Sequence, residues 1–329
     1  MIKGKQILVT GGCGFIGSHL IEKLVSQGNT VECFDKYNFN NNWGWLEHSK
    51  YKDKIKITLS DIRDYDAVSK SVKGKDIVFH LAALIGIPYS YVSPLAYIRT
   101  NIEGTYNVLE SARNIGVDQV LVTSTSETYG TAQYVPIDEK HPLVGQSPYS
   151  ASKISADQIA ISYFRSFDLP VKLVRPFNTY GPRQSLRAII PTIISQALMN
   201  KGKINIGSLT PTRDLTYVED TCKGFEAIAE IDDFLGEVVN IGSHKEISIK
   251  ELALLISEIM NITIKLSEDS DRVRPKNSEV ERLVCDNSKI INTTNWIPEV
   301  SLRQGLETTI DWFSNQENTL LFKPNTYNV

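Results

Sequence analysis

The sequence predicts an α/β fold, a doubly wound parallel sheet with a smaller C-terminal α/β domain. Short apolar runs alternate with amphipathic helical segments through the first half of the chain, and a glycine-rich turn follows the first of these runs. After Arg175-Pro176 prolines become frequent and the elements shorten. Strands that are apolar on both faces are typical of a parallel sheet covered by helices on two sides.

The elements of the first domain follow one another in a regular order. The apolar runs that predict strands occupy residues 7–9, 30–34, 55–59, 77–81, 119–123 and 171–174. Between the first two runs, Ile16, Leu20 and Leu24 recur at helical spacing, and Gly28-Asn29 is a typical helix end. We therefore expect the doubly wound domain to span residues 1–177.

The second half of the chain has a looser pattern. Its shorter elements are separated by prolines at positions 182, 191, 211, 275 and 298. We expect residues 178–329 to form mainly a second, smaller domain. Residues 216–233 have a helical pattern and residues 238–241 a strand pattern. These segments, near 216–242, are expected to return to the first domain.

Composition limits the kinds of partner. The chain has 329 residues and a formal net charge of −3, which gives no general attraction to nucleic acid or to an anionic membrane. Its four cysteines form no CxxC pair and have no histidine spacing, which argues against zinc and disulfides and favours a reducing compartment. No apolar stretch reaches the roughly 20 residues of a membrane helix. We expect a cytoplasmic protein that binds small molecules and no metal.

A glycine-rich turn indicates a dinucleotide site. The segment 10–17, TGGCGFIG, follows a predicted strand and opens a predicted helix. Glycines there let the backbone approach a diphosphate, and the helix N-terminus favours its negative charge. This context predicts a Rossmann-like domain. The expected cofactor contacts in the turn are Gly11, Gly14, Phe15, Ile16 and Gly17.

Residues at the ends of the next strands are further candidates for cofactor contacts. Asp35 lies about twenty residues past the glycines, where a carboxylate accepts hydrogen bonds from the adenosine ribose and repels a 2′-phosphate. It favours NAD over NADP, although an aspartate there can also cap a turn. Asp61-Ile62 ends the third strand and can contact adenine or start a turn. Leu81-Ala82-Ala83 ends the fourth strand, where small side chains either admit the cofactor or simply pack.

A tyrosine and a lysine form the candidate redox pair. Tyr149 and Lys153 are four residues apart, so they share one face of a helix. The ammonium is expected to lower the pKa of the phenol and to hold a nucleotide ribose. Lowering that pKa by about 3 units requires about 4 kcal/mol of differential stabilisation, to which a positive nicotinamide ring also contributes. Tyr149 then removes a hydroxyl proton as hydride leaves the same carbon for NAD.

Two more polar residues follow the fifth predicted strand. Thr125 and Glu127 lie at the strand edge where ligands sit in open α/β sheets. The Thr125 hydroxyl can polarise a substrate oxygen. Glu127 can remove a proton from the neighbouring carbon once a ketone has made that proton acidic, or it can be a surface carboxylate on a turn. A second proton-transfer group beside a redox pair indicates that oxidation only opens a longer reaction.

With these residues in place, the chain resembles the nucleotide-sugar 4,6-dehydratases of the extended short-chain dehydrogenase/reductase family over nearly its whole length. The matching segments are residues 10–17, 80–83, 101–105, 124–130, 149–153, 175–182, 213–214, 217–220 and 272–275. The resemblance implies that NAD oxidises a hexose at C4, that water leaves across C5 and C6, and that hydride returns to C6. Tyr149 is then the redox base with Lys153 behind it. Thr125 assists at O4, and Glu127 takes the C5 proton.

One position departs from part of this family. The dTDP-glucose dehydratases carry Asp-Glu where this chain has Ser126-Glu127. The Ser-Glu form is similar to GDP-mannose dehydratases, in which one glutamate can serve both proton steps, and Ser126 can instead assist the C6 oxygen. Residues 123–154 look most like bacterial dehydratases of legionaminic acid pathways, which act on UDP- or GDP-linked N-acetylglucosamine.

The resemblance also implies ligand contacts beyond the motifs. They are Asn101, Thr123 and Pro176 for the cofactor, and Asn178, Ile204, Ile206, Arg213 and Arg274 for the nucleotide sugar. Guanidinium forks suit phosphate geometry, so we expect the two arginines, with Asn178, at the diphosphate, although either arginine can also be a surface ion pair. The isoleucines either flank the nucleotide base or pack as an ordinary strand. The resemblance further implies a homodimer through the helices around 101–114 and 149–167.

Three other functions compete with dehydration. A nucleotide-glucuronate decarboxylase needs a cation facing the C6 carboxylate, and the sequence has no dedicated arginine beside Tyr149, so it ranks second. A 4-epimerase shares NAD, Tyr149 and Lys153 without needing Glu127. An NAD-binding sensor needs neither Tyr149 nor Glu127, and this chain has both.

Overall fold

The computed structural model describes residues 2–269 and 272–319. Its strands are β1 (Gln6–Thr10), β2 (Thr30–Lys36), β3 (Ile55–Ser60), β4 (Ile77–His80), β5 (Gln119–Thr123), β6 (Val171–Pro176), β7 (Asn178–Tyr180), β8 (Lys203–Ile206), β9 (Thr212–Tyr217), β10 (Val238–Ile241), β11 (Glu246–Ser248) and β12 (Lys265–Glu268). Its α-helices are α1 (Phe15–Ser26), α2 (Tyr65–Val72), α3 (Ile87–Val92), α4 (Pro94–Tyr97), α5 (Gly104–Ile115), α6 (Pro148–Phe167), α7 (Ile189–Met199), α8 (Val218–Ala229), α9 (Ile249–Met260), α10 (Ser288–Thr293), α11 (Leu302–Ser314) and α12 (Gln316–Thr319).

A seven-stranded sheet forms the centre of the molecule. Its strand order is β10-β6-β5-β4-β1-β2-β3, and every neighbouring pair is parallel. Helices join successive strands, so the chain winds outward from β1 in both directions. The predicted Rossmann-like, doubly wound fold is therefore confirmed, and each predicted strand of the first domain is present.

The sheet buries apolar side chains on both of its faces. In β1, Ile7 and Val9 join one hydrophobic cluster, whereas Leu8 joins the cluster on the opposite face. Leu20 and Leu24 of α1 pack in the first cluster, and Val108 of α5 packs in the second. Successive residues of a strand point to opposite faces, so a strand covered on both sides is apolar without interruption.

Smaller elements form the remainder of the C-terminal half. β9 pairs with β7 in parallel and with β11 in antiparallel orientation, while β8 and β12 form a separate parallel pair. Helices α7, α9 and α11 pack together beside them. The domain boundary near residue 177 stays a prediction, and the chain crosses it again, because β10 pairs with β6 and α8 packs on α1.

Two observations concern the expected surroundings of the protein. Among the described residues, no helix combines the length and apolarity that crossing a bilayer requires. All four cysteines are free thiols.

Candidate active site

The glycine turn after β1 brings the backbone close to the end of β4. A Cβ atom added to Gly11, whose φ is +73°, would lie 2.8 Å from the Ala82 backbone nitrogen. A Cβ on Gly17 would lie 2.3 Å from the Gly11 carbonyl oxygen. Larger side chains would push these segments apart, so the glycines fix the shape of the turn.

The first turn of α1 is suited to bind an anion. Gly14 is the N-cap residue, makes no side-chain capping hydrogen bond, and is followed by a first turn without acidic residues. Backbone N–H groups and the helix dipole are therefore available to a diphosphate. Phe15 and Ile16 begin the helix and pack partly against the core. The turn fits the diphosphate of a dinucleotide.

Asp35 is tied to the glycine turn. Its carboxylate accepts hydrogen bonds from the Cys13 and Lys36 backbone N–H groups, both at 2.7 Å. Burial raises the pKa of this carboxyl group. Sequence spacing gave no sign that Cys13 and Cys33 lie close together, but their sulfurs are 3.6 Å apart and lie within 4.8 Å of an Asp35 oxygen. This position beside the turn suits a carboxylate that accepts hydrogen bonds from a ribose.

The ends of β3 and β4 show which predicted cofactor contacts are engaged elsewhere. Asp61 forms an ion pair with Arg63, and the Ile62 carbonyl accepts a hydrogen bond from Asn107. Residues 81–83 lie partly exposed beside the glycine turn. Asn101 uses both amide protons, donating to the Leu84 carbonyl at 3.0 Å and to the Ser152 hydroxyl at 2.9 Å. It therefore fastens the loop after β4 to α6.

The redox pair lies at the start of α6. Ser147 caps this helix in a capping box with Ser150, so Tyr149 and Lys153 occupy its first two turns. Lys153 Nζ donates to the Thr123 carbonyl at 2.6 Å, and the Tyr149 ring packs against Tyr97 with centroids 6.2 Å apart. The Thr123 hydroxyl is buried without a hydrogen-bond partner, which leaves it available to a ligand.

The acidity of Tyr149 differs from the sequence-based expectation. Burial raises the pKa of its phenol, and the hydrogen bond with Thr125 offsets part of that rise. Burial also lowers the pKa of Lys153. The predicted depression of the Tyr149 pKa by Lys153 is therefore not seen, because desolvation outweighs the ammonium that is directed at the Thr123 carbonyl.

A short 3-10 helix, Ser126–Tyr129, carries the candidate acid–base residue. Thr125 caps it, since its hydroxyl accepts a hydrogen bond from the Glu127 backbone N–H at 3.3 Å. The same Thr125 side chain acts on the Tyr149 phenol and lowers its pKa. Glu127 and Ser126 are both buried. One threonine thus connects the phenol with the turn that holds the carboxylate.

Two arginines and a carboxylate face this turn from the C-terminal half. Arg274 Nη1 lies 3.9 Å from Glu127 Oε1 and 3.6 Å from Glu279 Oε1, while Arg213 Nη2 lies 3.1 Å from Glu279 Oε1. Arg274 Nη1 and Asn178 Oδ1 are buried without hydrogen-bond partners. Sequence reasoning identified the arginines and Asn178 but missed Glu279. A cluster of this kind can exchange its internal ion pairs for the oxygens of a diphosphate.

The other predicted ligand contacts are buried in the protein interior. Ile204 and Ile206 on β8 are fully buried members of the large hydrophobic cluster. Their side chains pack as an ordinary strand, which is one of the two alternatives that the sequence left open. Pro176 ends β6 and is buried beside Ile241 of β10.

Sequence reasoning also missed a cation close to Tyr97. The Arg187 Cδ atom lies 3.8 Å from where a Cβ on Gly86 would stand, and the arginine charge acts on the Tyr97 phenol. Tyr97 and Tyr149 belong to one small hydrophobic cluster. Arg187 is far from Tyr149 in sequence, so only the fold brings them into one neighbourhood.

Known proteins share this architecture along the whole chain. The family model described as GDP-mannose 4,6 dehydratase matches residues 8–309. A UDP-N-acetyl-alpha-D-glucosaminuronate decarboxylase of Bacillus cytotoxicus is 34% identical, over 95% of this chain and 99% of its own. A putative UDP-glucose 4-epimerase of Methanocaldococcus jannaschii is 32% identical, over 95% and 100%.

A solved structure agrees with these sequence relatives. The dTDP-glucose 4,6-dehydratase DesIV of Streptomyces venezuelae, determined with NAD bound, superposes with a TM-score of 0.87 at 28% identity and covers 97% of this chain and 99% of its own. The matched relatives thus carry out dehydration, decarboxylation and epimerisation on a common scaffold. The chain belongs to the GDP-mannose 4,6-dehydratase family, within the extended short-chain dehydrogenases/reductases that act on nucleotide sugars.

Proposed function

We propose that this protein is an NAD-dependent 4,6-dehydratase of UDP- or GDP-linked N-acetylglucosamine, which it converts to the 4-keto-6-deoxy sugar. The observation that carries the proposal is the position of Thr125. Its side chain lies close enough to Tyr149 to lower the pKa of the phenol, and it also caps the turn that holds Glu127. A redox base and a carboxylate therefore serve adjacent carbons of one hexose.

The first step is oxidation at C4. NAD, when bound at the glycine turn, would supply the hydride acceptor for that carbon. Tyr149 removes the O4 proton, and the Thr125 hydroxyl, which acts on the same phenol, orients the substrate oxygen. Lys153 holds the nicotinamide ribose and supplies positive charge beneath the phenol. Its hydrogen bond to the Thr123 carbonyl fixes the ammonium in place.

The second step is loss of water. A ketone at C4 acidifies the C5 proton, which Glu127 removes. The same carboxyl group then protonates the departing C6 hydroxyl, assisted by Ser126. The cofactor, when bound, would supply the returning hydride to C6, and Tyr149 delivers the proton taken from O4 to C5, which completes the 4-keto-6-deoxy sugar. One carboxyl group serves both proton transfers because the C5 proton and the C6 hydroxyl are on neighbouring carbons.

The binding contacts divide between the two halves of the chain. The cofactor contacts of the proposal are Gly11, Gly14, Phe15, Ile16, Gly17, Asp35, Asp61, Ile62, Leu81, Ala82, Ala83, Asn101, Thr123 and Pro176, with Tyr149 and Lys153. Arg213 and Arg274, whose guanidinium groups both lie beside Glu279, bind the diphosphate oxygens, and Asn178 donates to them through its side-chain N–H groups. The backbone of residues 204–206 flanks the base.

The test separates the two stages of the reaction. Glu127→Gln is expected to oxidise the sugar and stop, because an amide cannot accept the C5 proton. Rapid mixing with substrate should then leave NADH trapped on the protein, visible by its absorbance, with no keto-deoxy sugar. Tyr149→Phe should form no NADH. Glu307→Gln, on the exposed side of α11, is the matched control and should behave as wild type. Normal turnover by Glu127→Gln would remove Glu127 from the mechanism.

One observation favours decarboxylation as the second candidate. Arg187 stands near Tyr97, which packs on Tyr149, and so supplies the cation that the sequence near Tyr149 lacks. A relative with 34% identity is named as a decarboxylase of an N-acetylglucosaminuronate nucleotide. Release of carbon dioxide from UDP-N-acetylglucosaminuronate, lost in Arg187→Met, would favour this function. Mass loss of one water from UDP- or GDP-N-acetylglucosamine would favour the dehydratase.

We also propose a homodimer. Large apolar side chains are exposed along the segment from α4 through α5 and at the end of α6, with exposures of 55% for Leu95, 51% for Ile98, 45% for Tyr106 and 48% for Phe167. Such neighbouring apolar groups are typical of an interface. Sedimentation should give twice the chain mass, and Ile98→Glu should shift it to the monomer. A monomeric wild type would contradict the proposal.

A further inference from the structure

A buried carboxylate lies directly behind the redox pair. Asp157 stands one helical turn after Lys153 on α6 and is 1% exposed. Its Oδ2 atom accepts a hydrogen bond from Ser124 Oγ at 2.6 Å and another from Arg175 Nη2 at 2.7 Å. Both partners lie on strand ends next to α6. Asp157 thus joins the redox helix to the central sheet.

The partners of Asp157 lead to the acid–base turn. Ser124 immediately precedes Thr125, and its hydroxyl accepts a hydrogen bond from Arg175 Nε at 3.1 Å. The Arg175 guanidinium also lies 4.6 Å from the ring centre of Tyr129, the last residue of the 3-10 helix that carries Glu127. Arg175 therefore contacts both ends of the segment 124–129. Through these contacts Asp157 fixes the turn relative to Tyr149.

The charge of Asp157 is only partly compensated by hydrogen bonds. Its Oδ1 atom is buried without a hydrogen-bond partner. A buried ion is costly unless opposite charges surround it, and the nearby cations are Arg175 and Lys153. The carboxylate raises the pKa of Lys153 against the larger effect of burial and adds to the raised pKa of Tyr149.

We propose that Asp157 is a positioning residue that ties the redox helix to the acid–base turn and whose charge sets the pH range in which Tyr149 and Lys153 work. The inference rests on the redox role proposed for this pair. That role is common to the dehydratase, the decarboxylase and the epimerase. If only the dehydratase assignment fails, the inference about Asp157 can therefore still be tested in the same way.

Several other polar or titratable groups face Tyr149 and Lys153. The test requires that their charges stay constant while the charge of Asp157 is changed. Tyr149 is faced by Thr125 and Glu127 from the turn and by Tyr97 from α4, and Arg187 acts on Tyr97. Lys153 is faced by His80 of β4. Burial and the Lys153 charge lower the pKa of His80 to about 3, so it is neutral throughout the working range. The hydrogen bonds of Asp157 go to Ser124 and Arg175, so its charge can be removed without deleting a direct hydrogen bond of Tyr149.

The test is the pH dependence of NAD reduction in a single turnover. Asp157→Asn keeps the shape of the side chain and one acceptor oxygen but removes the negative charge. Without that charge, Tyr149 should ionise and Lys153 should deprotonate at lower pH. Both the acidic and the alkaline limb of the pH–rate profile should move to lower pH, by on the order of one unit. Asp157→Glu retains the charge and should restore both limbs, even at a reduced maximal rate.

A second variant separates the effect of the hydrogen bonds from the effect of the Asp157 charge. Ser124→Ala removes the hydrogen bonds to Asp157 and Arg175 but leaves the carboxylate. It should lower the maximal rate and leave both limbs in place. Limbs that stay fixed in Asp157→Asn, or that move as far in Ser124→Ala, would overturn the proposal.

A titration without substrate keeps the inference testable in every case. Phenolate absorbance of the NAD-loaded protein, corrected with Tyr149→Phe, should show Tyr149 ionising at lower pH in Asp157→Asn than in wild type. If none of the nucleotide sugars causes the wild type to reduce NAD, the proposed function fails. This titration alone then decides the role of Asp157. If Asp157→Asn does not fold, the Ser124→Ala and Asp157→Glu profiles decide it, since a limb shifted in Asp157→Glu contradicts the proposal.

Discussion

At the scale of single residues, the site depends on groups that burial keeps in unusual states. Tyr149, Lys153 and Glu127 are each less than 10% exposed. Burial raises the pKa of the Tyr149 phenol and lowers the pKa of the Lys153 ammonium. Tyr149 must lose a proton in an environment that opposes its charge. The positive groups around it, and the cofactor ring when bound, therefore have to act together.

Gly17 is the residue at which the smallest change should have a large effect. A Cβ there would lie 2.3 Å from the Gly11 carbonyl oxygen and 2.8 Å from Gly12 Cα, both backbone atoms that cannot move independently. Gly17→Ala is expected to open the turn and to release NAD, measured as the cofactor content of the purified protein. Gly86→Ala is the control, because its Cβ would meet no atom closer than 3.6 Å. Full NAD content in Gly17→Ala would contradict this account of the turn.

At the scale of elements, the start of α6 matters most. The helix begins at Pro148, so its cap determines where the phenol of Tyr149 stands. Ser147 accepts a hydrogen bond from the Ser150 backbone N–H at 3.1 Å, and Ser150 Oγ accepts one from the Ser147 N–H at 2.9 Å. Loss of the cap should loosen the first turn, where the redox base lies.

Ser147→Ala should lower both stability and turnover. Removal of an N-cap costs about 1 kcal/mol, which corresponds to a Tm lower by a few degrees. Ser248→Ala removes an equivalent capping box from α9, far from the redox pair in sequence. Thermal unfolding should show similar losses in the two variants, whereas only Ser147→Ala should reduce turnover. Equal activity in the two would show that the cap does not position Tyr149.

At the scale of the whole molecule, the two halves of the chain contribute separate candidate ligand sites. The glycine turn and Asp35 lie in the first half, while Arg213, Arg274 and Glu279 come from the second. The segment of Glu279 is fastened to the first half, since its carbonyl oxygen accepts hydrogen bonds from Thr131 Oγ1 and Gln146 Nε2. The arginines are thus held beside Glu127 without belonging to the main sheet.

Arg274→Met tests this separation. It should weaken binding of UDP or GDP by roughly tenfold or more, because a partly buried guanidinium is lost from the diphosphate site. The NAD content should stay unchanged. Calorimetric titration measures the first quantity, and Arg303→Met, which breaks an exposed ion pair with Glu258, is the control. Loss of NAD together with the nucleotide would show that the two sites are coupled.

Much of the fold could be predicted because local pattern and global architecture agree. Uninterrupted apolar strands and the segment 10–17 specify a parallel sheet and its ligand edge from nearby residues alone. The parts that escaped prediction depend on contacts distant in sequence. Asp157 meets Arg175 only because α6 packs on the sheet, and Arg187 reaches Tyr97 across a long separation. The raised pKa of Tyr149 escaped because burial cannot be read from spacing.

The fate of the C4 hydrogen tests the central claim most directly. UDP-N-acetylglucosamine, or its GDP counterpart, carrying deuterium at C4 would be converted by the protein in ordinary water and the product examined by NMR. The proposed mechanism predicts that the label appears at C6 of a 4-keto-6-deoxy sugar, with solvent hydrogen at C5. A label that returns to C4 of an intact or epimerised hexose would contradict it.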